Sequence, residues 1–538
     1  MKLILKKPNN ILGLFLCALL SFLIIYQISP KGFIIGTSSY WNSDAEDITQ
    51  YISGFNLYLK ADFQWPLLAF DSLNYPVGTR ATFVDVIPIY AFILKVILPE
   101  DVKWFNPFGL WIALCFIFQG IAAWWICKEL KINNWVVVLS QTVLLSLFPA
   151  LLYRLGHISL MSHWIILFAI ALYIRCCRKK EYCTLGWTTL LFFSFYINIY
   201  LFIMASLIYL SACLQVYFRF KIKDLKAIIF ILTPCFLVFL SLFIFLLPLP
   251  TGGVASDTGF GFYSMNLLSP FIGGNIFALQ SQVMPGQYEG FNYLGFGTIV
   301  FIIATFVIDK NKCIEYVKFN IYIFVICFLF FIYSLSSEIY FSQTLIAKVY
   351  YPPLLDSITT QFRASGRFFW PVGYLIIIFS SYFLYKKIKS QYFVSILFLT
   401  VTLLQLYDIK DQINLFKVRS SRPAVEQINY KDWKDFLQTN QVKNIYFYPK
   451  FRCGGDPLKT LLPVMKIASE MDLNVNTGYI ARYFPECNDI TKEIETSNRE
   501  SSVYIFDLNS YKESDVINYL PRNETYSCEK KDFALICR

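Results

Sequence analysis

An acidic cluster in the first long loop contains the residues best suited to acid–base chemistry. Asp47 follows two other acids, Asp44 and Glu46, in the stretch YWNSDAEDITQYISGF, which begins at Tyr40. Ser43 and Glu46 have the S-x-x-E spacing of a capping box, which predicts a helix with Asp47 in its first turn. The positive end of that helix would keep Asp47 ionised, so its carboxylate could accept a proton or orient an attacking hydroxyl. The alternative is a solvated acid that only complements the helix dipole.

The residues after Asp47 have the periodicity of an amphipathic helix. Ile48, Tyr51, Ile52, Phe55 and Leu59 form an apolar stripe at helical spacing. We therefore predict a helix that lies on the outer membrane surface and presents Asp47 at its start.

Two further charged residues lie at the start of, and within, a short apolar run. Asp85, in FVDVIPIY, comes just before it, and an ionisable group at membrane depth is a functional candidate by default. Capping of a helix that begins near Pro88 is the structural alternative. Lys95, inside the run, would either extend its ammonium to the interface or face the phosphate of a donor substrate.

Arginine and histidine side chains occur at the entrances of two other apolar segments. The stretch YRLGHISLMSHW contains Arg154 and the only two histidines, His157 and His163. Their six-residue spacing does not place both on one helix face, which excludes a HExxH-type metal site. The stretch FRASGRFFWP places Arg363 and Arg367 four residues apart. Such side chains bind phosphate or pyrophosphate, and contact with lipid headgroups is the alternative.

Two loops rich in glycine and aromatic residues could line a sugar or prenyl pocket. They are GFGFYSMNLLSPF and QYEGFNYLGFG, and their polar candidates are Tyr263, Asn266, Glu289 and Asn292. The basic connecting segments, which are assigned to the cytoplasm below, contain no P-loop, GxSxG, GxGxxG or metal-ligand cluster. A soluble nucleotide donor is therefore not expected, and no cofactor is predicted.

The elements that must position these residues are hydrophobic. Of the 538 residues, 56% are hydrophobic and 15% are charged, whereas soluble domains carry roughly 25% charged residues. Many runs approach the roughly 20 apolar residues that cross a bilayer, which predicts a polytopic α-helical membrane protein. The net charge of +11 is then attributed to cytoplasmic loops and anionic headgroups rather than to nucleic acid.

Placing every basic run inside the cell predicts eleven crossings, with the N-terminus cytoplasmic. The ambiguous regions at 85–106 and 183–218 leave twelve or thirteen open. The N-terminal apolar segment is too long for a signal peptide and is kept as the first helix. The predicted spans are about 11–29, 107–127, 135–152, 160–175, 184–200, 201–218, 227–248, 295–308, 319–335, 370–385 and 391–407.

Two domains follow from the change in composition along the chain. Residues 1–408 form the transmembrane domain, with a long outer loop over 32–85, and 409–538 form a small α/β domain outside the membrane. In that domain NIYFYP and SVYIFDL are typical of strands, PLKTLLPVMKIASEM and SDVINYL of helices, and ETYSCEKKDFALICR of a closing hairpin.

Four of the fourteen cysteines lie in the outer domain, where an oxidising space favours disulfides. Four cysteines allow three pairings. We favour Cys453–Cys487 and Cys528–Cys537, because the second pair flanks the hairpin. Zinc is not expected, since the domain has no CxxC and no histidine.

The order of these blocks resembles the GT-C superfamily of polytopic membrane glycosyltransferases. The resemblance begins with D-x-x-Q-Y-x-x-G (Asp47, Gln50, Tyr51, Gly54), followed by WP, YPVGT and DVIP. The blocks RLGHISLMSHW, YSMNLLSPF, YEGFNYLGFG and FRASGRFFWP, with the soluble outer tail, resemble more narrowly a bacterial branch of that superfamily. The activity of that branch is itself inferred from the superfamily. The likeness covers nearly the whole chain.

The resemblance implies an inverting sugar transfer on the periplasmic side of the bacterial inner membrane. The donor would be a polyprenyl-phosphate sugar, and the acceptor a cell-envelope glycan, lipid or protein. Asp47 would act as the base or orient the acceptor, while Arg363, Arg367, His157 and Lys95 would stabilise the departing phosphate. Some members have two adjacent acids at this point; this chain has Asp44 and Glu46 nearby but no Asp-Asp or Asp-Glu pair at Asp47, so dependence on a divalent metal stays open.

Two other functions fit the same sequence. A transporter or flippase for lipid-linked saccharides would have similar apolar grooves and would not depend on one loop carboxylate. A non-catalytic membrane scaffold would tolerate Asp47→Asn and would require the outer domain, residues 420–538.

Overall fold

The computed structural model describes residues 10–44, 46–99, 102, 105–223, 225–250, 253–254, 258–277, 284–456, 458–522 and 525–538. Contacts divide the chain into two compact units. The first unit contains Met1–Ile34, Gly109–Val238 and Asp257–Ser421. The second unit contains Ile35–Phe108, Phe239–Ser256 and Arg422–Arg538.

The α-helices account for most of the described chain. In sequence order they are α1 (Asn10–Ile28), α2 (Asp47–Lys60), α3 (Pro88–Ile97), α4 (Phe108–Glu129), α5 (Trp135–Ser146), α6 (Pro149–Leu152), α7 (Trp164–Lys179), α8 (Thr184–Ile197), α9 (Ile199–Leu214), α10 (Leu225–Phe245), α11 (Phe296–Phe319), α12 (Ile321–Leu335), α13 (Asp356–Gln361), α14 (Trp370–Lys387), α15 (Gln391–Asp408), α16 (Lys410–Ser420), α17 (Tyr430–Thr439), α18 (Leu461–Met471), α19 (Ile490–Thr496) and α20 (Glu513–Val516).

The strands are short and lie mainly near the C-terminus. They are β1 (Ala69–Phe70), β2 (Thr79–Arg80), β3 (Gly253–Val254), β4 (Glu338–Phe341), β5 (Thr344–Lys348), β6 (Asn444–Tyr448), β7 (Asn474–Val475), β8 (Tyr483–Phe484), β9 (Ser502–Asp507), β10 (Cys528–Lys531) and β11 (Ala534–Cys537). Short 3₁₀ turns precede α7 at Ile158–Met161 and α14 at Ser365–Phe369, and another covers Gln287–Gly290.

Among the described residues, eight helical segments are long and apolar enough to cross a bilayer. They are Asn10–Ile28, Phe108–Glu129, Trp135–Leu152, Ile158–Lys179, Ile199–Arg219, Ala227–Phe245, Ser365–Lys387 and Gln391–Asp408. Large apolar side chains on these helices stay exposed, such as Phe236, at 60%, and Ile229, at 58%. Long helices with exposed apolar faces belong in lipid. The chain is a polytopic α-helical membrane protein.

The expected eleven to thirteen crossings are too many. The predicted span at 184–200 is the 14-residue helix α8, which at 1.5 Å per residue covers about 21 Å of a hydrocarbon core roughly 30 Å thick. The two predicted spans at 295–308 and 319–335 correspond to α11 and α12, which are bent by 91° at the break between them. If that pair counts as one broken span, the described chain has nine.

The second unit contains the predicted α/β layer. Its five-stranded sheet has the order β10-β11-β9-β6-β7, in which β6 is parallel to β7 and β9, while β11 is antiparallel to β9 and β10. The strands predicted from NIYFYP and SVYIFDL and the closing hairpin are confirmed. The helix predicted from PLKTLLPVMKIASEM begins only at Leu461, and SDVINYL contributes only to the single turn Glu513–Val516.

Both favoured disulfides are confirmed. Cys453 pairs with Cys487 at a Cα–Cα distance of 5.4 Å, and Cys528 pairs with Cys537 at 4.1 Å. Within the second pair, the two cysteines face each other across the β10–β11 hairpin, as the hairpin prediction required.

Helix α2 does not lie on a surface. All residues from Ile48 to Tyr58 are buried, including the polar ones, and the helix packs against α18 within the second unit. The polar face is covered by protein: the Gln50 amide donates to the Tyr479 carbonyl at 3.2 Å, and Asn56 exchanges two hydrogen bonds of 3.0 Å with the Phe105 backbone. The predicted amphipathic surface helix was therefore wrong in its environment, although right in its location along the chain.

Candidate functional site

Three predicted residues meet in the first unit around the carboxylate of a fourth, Glu289. The two guanidinium groups of Arg154 and Arg367 both contact Oε2 of Glu289; Arg367 does so through Nε at 3.0 Å and Nη2 at 2.9 Å. His157 approaches the other oxygen, with Nε2 3.4 Å from Oε1. We call Arg154, His157, Glu289 and Arg367 the Glu289 cluster.

The cluster lies where helical spans end. Arg154 and His157 occupy the connection between the spans Trp135–Leu152 and Ile158–Lys179, and Arg367 stands in the first turn of the span Ser365–Lys387. Charged residues at the end of an apolar segment can contact the phosphate region of a lipid. The cluster is therefore at one membrane boundary of the first unit.

The charges of the cluster do not cancel. The side chains of Arg154 and Glu289 are 1% and 6% exposed, while that of Arg367 is 13% exposed and that of His157 35%. Burial raises the pKa of the Glu289 carboxyl, but Arg367 and Arg154 outweigh it and hold the pKa well below its usual range. With this acid ionised, two guanidinium charges face one carboxylate, which leaves an excess of +1 beside a partly exposed histidine.

Close backbone packing brings the loops of the cluster together. A Cβ at Gly366 would lie 2.5 Å from Cα of Gly290, so neither segment tolerates a side chain there. Asn292 donates to the carbonyls of Gly290 and Gly366 at 3.0 and 2.8 Å. The Ser269 hydroxyl donates to the Gly290 carbonyl at 2.8 Å. Asn292 is therefore a positioning residue that fixes the loop carrying Glu289 against the loop carrying Arg367.

Arg363, Tyr263 and Asn266 lie in the loops next to the cluster. The Arg363 guanidinium stands 5.5 Å from the centre of the Tyr263 ring and donates to the Thr258 carbonyl at 2.9 Å. Asn266 is buried, and its amide bonds to Gln287 and to the Ser342 backbone, which makes it a loop scaffold. Of these three, Arg363 and Tyr263 offer groups to a ligand.

His163 is separate from the cluster. It is fully buried, its Nδ1 lies 3.0 Å from the Tyr374 hydroxyl, and its ring packs on Trp370 with centroids 4.3 Å apart. Trp370 in turn faces the Arg154 guanidinium at 5.8 Å. His163 therefore supports the packing beneath Arg154, and the two histidines have different environments.

The second unit holds the predicted acids Asp47 and Asp85. Asp47 is the first residue of α2, as predicted, and is half-buried. Asp85 is exposed in a turn with φ +54°, whose neighbours Val84 and Val86 pack against Gly54 of α2. Gly54 follows Asp47 by seven residues, so it lies on the same helix face about 10 Å along the axis.

Neither acid is the N-cap residue of a helix. The N-cap of α2 is Glu46 and that of α3 is Ile87, and no side-chain hydrogen bond is made by either cap. The predicted capping box is thus not formed: Ser43 instead accepts a hydrogen bond from the Thr49 hydroxyl through its carbonyl, at 2.7 Å. The N-cap residue of α3, ahead of Pro88, is Ile87 rather than Asp85.

Asp44 and Glu46 connect the loop before α2 to the segment before α17. Asp44 is buried, and its Oδ2 accepts hydrogen bonds from the backbone N–H of Gln427 at 2.7 Å and from the Tyr430 hydroxyl at 3.0 Å. Burial raises the pKa of Asp44, and these two bonds partly oppose the shift. Glu46 lies 3.7 Å from the Arg422 guanidinium. Both acids have evident structural partners.

Lys95 caps the C-terminus of α2. Its buried ammonium donates to the carbonyls of Tyr58 at 2.8 Å and Ala61 at 2.6 Å, and lies 4.5 Å from the Tyr58 ring centre. A cation is favourable at the negative end of a helix. Burial lowers the pKa of Lys95 to about 8, while Asp62 and Asp71 act in the opposite direction. This contact differs from both predictions for Lys95, extension of its ammonium to the interface and contact with a donor phosphate.

Sequence reasoning missed two residues that shape the site. Tyr200 places its ring 4.9 Å beneath the Arg367 guanidinium, and its hydroxyl accepts from the Ala364 amide at 3.2 Å. Asp408, fully buried, accepts from the Tyr293 hydroxyl at 2.6 Å and the Phe296 amide at 2.8 Å. An acid at the end of an apolar span was the signal that could have identified Asp408.

Within the described ranges, no group of three or more His, Cys, Asp or Glu side chains is placed to hold a metal ion.

Comparison with known families gives a match along almost the whole chain. Residues 15–410 match the family described as "Domain of unknown function (DUF6311)", and residues 432–538 match the "DUF6311 C-terminal domain". The chain belongs to the DUF6311 family. No curated protein matches it. The first match contains every residue of the Glu289 cluster together with Asp47 and Asp85, and the second contains both disulfides.

Proposed function

We propose that this DUF6311 protein is a membrane glycosyltransferase of the GT-C type. It would transfer a sugar, with inversion, from a polyprenyl-phosphate donor to an extracytoplasmic glycan, lipid or protein. The observation that carries the proposal is the Glu289 cluster, in which two arginines and a histidine from two distant segments converge at one membrane boundary with an excess of positive charge.

The cluster suits the phosphate of a lipid-linked sugar. Arginine pairs with phosphate oxygens through two parallel N–H groups, and Glu289 holds both guanidinium groups in place before a ligand arrives. Arg363 adds a further cation to the neighbouring loop. A fixed cationic group is most effective where charge develops in the transition state, here on the departing phosphate.

Asp47 takes the acid–base role that the GT-C resemblance implies. The acceptor hydroxyl forms a bond from its oxygen to the anomeric carbon, and the bond from that carbon to the phosphate oxygen breaks. The electron pair leaves with the polyprenyl phosphate, and the hydroxyl proton passes to Asp47. Attack opposite the leaving group inverts the anomeric configuration. Asp85 is the second acid of the proposed acceptor side.

The orientation is part of the proposal. We place the protein in the bacterial inner membrane, with the N-terminus cytoplasmic and the Glu289 cluster and the C-terminal domain periplasmic. The two disulfides favour an oxidising space for that domain. The basic run Arg175–Lys180 ends the span that begins beside the cluster, which fits the positive-inside rule.

The test is turnover of a polyprenyl-phosphate sugar by the purified full-length protein. Release of polyprenyl phosphate is measured for the wild type, Asp47→Asn, Arg367→Gln and the control Asp472→Asn. Asp472 is an exposed acid in a left-handed conformation that asparagine also adopts. We expect loss of turnover in the first two variants and wild-type turnover in the control. Turnover that survives Asp47→Asn would overturn the assignment of the base.

A transporter for lipid-linked saccharides is the second candidate. The 91° bend between α11 and α12 favours it, because broken helices line the paths of many transporters. An apolar cavity of about 180 Å³ lies at this bend, lined by Tyr173, Tyr316 and Asn320 among others. Reconstituted protein that moves a fluorescent lipid-linked sugar across vesicles without releasing polyprenyl phosphate, and does so equally with Asp47→Asn, would support this candidate instead.

A further inference from the structure

A second cationic site lies in the first unit, at the other end of the span that begins beside His157. A cavity of about 470 Å³ opens where α1 begins, where α4 and α7 end and where α5 begins. Its lining includes Lys128, Lys131 and Arg178, together with Trp124 and Asn133. Among the described residues that line it, three are cationic and none is acidic.

Arg178 is held in position by a buried acid next to the cavity. Glu129, whose side chain is 1% exposed, contacts Arg178 at 2.6 Å and Arg175 at 3.3 Å, and accepts from the Trp125 indole at 3.1 Å. This carboxylate is therefore already matched by two guanidinium groups. The Glu129 carboxylate therefore neutralises little of the positive charge of the other cations that line the cavity.

The surroundings of the two lysines of the cavity differ from those of Arg178. Both are exposed, and in the part of the chain that the structure describes neither forms an ion pair. The Lys128 ammonium stands 4.8 Å from the centre of the Trp124 ring. The Asn133 side chain, which is also exposed, adds an amide to the rim. An anion entering the cavity would meet two unmatched ammonium groups, a fixed guanidinium and a hydrogen-bond donor.

The position of the cavity indicates where that anion comes from. It lies at the ends of four apolar spans, which is the level of the lipid headgroups. Basic pockets between spans bind the headgroups of anionic phospholipids, and the indole of Trp124 suits the same interfacial layer.

We propose that this cavity binds a phosphate carried by the headgroup of an anionic phospholipid. The site is built from Lys128, Lys131 and Arg178, with Trp124 and Asn133 at its rim. It is independent of the proposed glycosyl transfer, because it shares no residue with the Glu289 cluster or with the acids of the second unit.

The experiment uses full-length protein in nanodiscs of phosphatidylcholine with a minor fraction of phosphatidylglycerol. Native mass spectrometry counts the phosphatidylglycerol retained by the wild type, by Lys128→Gln/Lys131→Gln and by the control Lys386→Gln/Lys389→Gln. The control removes the same charge at the end of α14, outside the cavity. Because two cationic contacts to the headgroup are removed, the cavity variant should lose retention by roughly tenfold or more, and the control should match the wild type.

A parallel arm separates a lipid from free phosphate. Inorganic phosphate is added to protein in neutral detergent, and the thermal unfolding midpoint is recorded for the same three proteins. Selective retention of phosphatidylglycerol without a phosphate-induced shift supports the lipid source. A phosphate shift lost in the cavity variant would reassign the site to free phosphate. Equal retention by wild type and cavity variant, or no preference of the wild type for phosphatidylglycerol over phosphatidylcholine, would overturn the proposal.

Discussion

Arg367 and Glu289 are joined through a single oxygen, Oε2, which lies 3.0 Å from Nε and 2.9 Å from Nη2 of the arginine. The same oxygen also receives Nη1 of Arg154. One carboxylate thus ties together segments that are 135 and 78 residues away from it in the chain. Both guanidinium groups are thereby fixed before any ligand is present.

Glu289→Gln should destabilise the protein strongly. The substitution keeps the shape of the side chain but leaves the buried Arg154 charge without its counter-charge, which costs about 3 kcal/mol or more. Thermal unfolding in detergent should show a midpoint lowered by several degrees.

Glu338→Gln is the matched control for that variant. Glu338 pairs with Lys348 at 2.9 Å, and the two side chains are 37% and 54% exposed. Such surface pairs contribute at most about 1 kcal/mol. Equal midpoints for Glu289→Gln and Glu338→Gln would contradict a structural role of the Glu289 charge.

Arg367→Lys should weaken binding of the lipid-linked donor. The guanidinium offers two N–H groups to Glu289 while its face lies on the Tyr200 ring, and an ammonium cannot make both contacts. We expect kcat/KM for the donor to fall by roughly tenfold, with a lower kcat as well as a higher KM, because the same guanidinium faces the charge that develops on the departing phosphate. Arg175→Lys, which alters an arginine paired with a buried acid at the other end of the unit, should leave kcat/KM unchanged. A kcat/KM unchanged by Arg367→Lys would remove Arg367 from the donor site.

The residues of the cluster could be predicted from the sequence, but not their common partner. Arginine and histidine beside apolar runs are conspicuous, and that pattern predicts Arg154, His157 and Arg367. Glu289 is predicted only as one polar residue of a glycine-rich loop. Its central place depends on packing between distant loops, made possible by Gly290 and Gly366, and no local pattern records such an approach.

The errors in the fold have a similar cause. The apolar stripe of α2 fits a helix on a membrane equally well as a helix inside a protein, because both bury one face. The two environments are distinguished by what contacts the polar face of the helix. In α2 the Gln50 side chain on that face donates to the carbonyl of Tyr479, which is 429 residues away in the chain. The count of spans failed at α8 and at the α11–α12 bend, because composition shows that a segment is apolar but not how far or in which direction it runs.

Lys95→Met should destabilise the second unit. The carbonyls of Tyr58 and Ala61 would lose a charged donor in a buried setting, which costs about 2 kcal/mol. A fall in the unfolding midpoint of several degrees is expected. Lys431→Met, at an exposed position of α17, is the control and should change it little. If the two variants unfold alike, the capping contact does not contribute to stability.

Asp44 should make the stability of the second unit depend on pH. Burial raises its pKa in the folded protein above the value of 3.8 of the free side chain. The stability gained from binding this proton is complete below that value and is lost as the pH rises through the raised pKa. The unfolding midpoint of the wild type relative to Asp44→Asn should therefore fall as the pH is raised from acid towards neutrality. A difference that stays constant over this range would mean that Asp44 titrates normally.

Cys453→Ser/Cys487→Ser should lower the unfolding midpoint more than a single free-cysteine change. The bond closes a separation of 34 residues between the segments that follow β6 and β8, and removing such a cross-link costs about 2–4 kcal/mol, mainly because the unfolded chain gains freedom. Cys235→Ser, at an exposed free cysteine, controls for the substitution itself. Reductant should lower the wild-type midpoint towards that of the double variant and leave the double variant closer to its starting value.

Because the Cys528–Cys537 bond closes only nine residues, its loss should cost less, and peptide mapping under non-reducing conditions should recover both pairs. Recovery of a different pairing would contradict the arrangement of the C-terminal sheet and its loops.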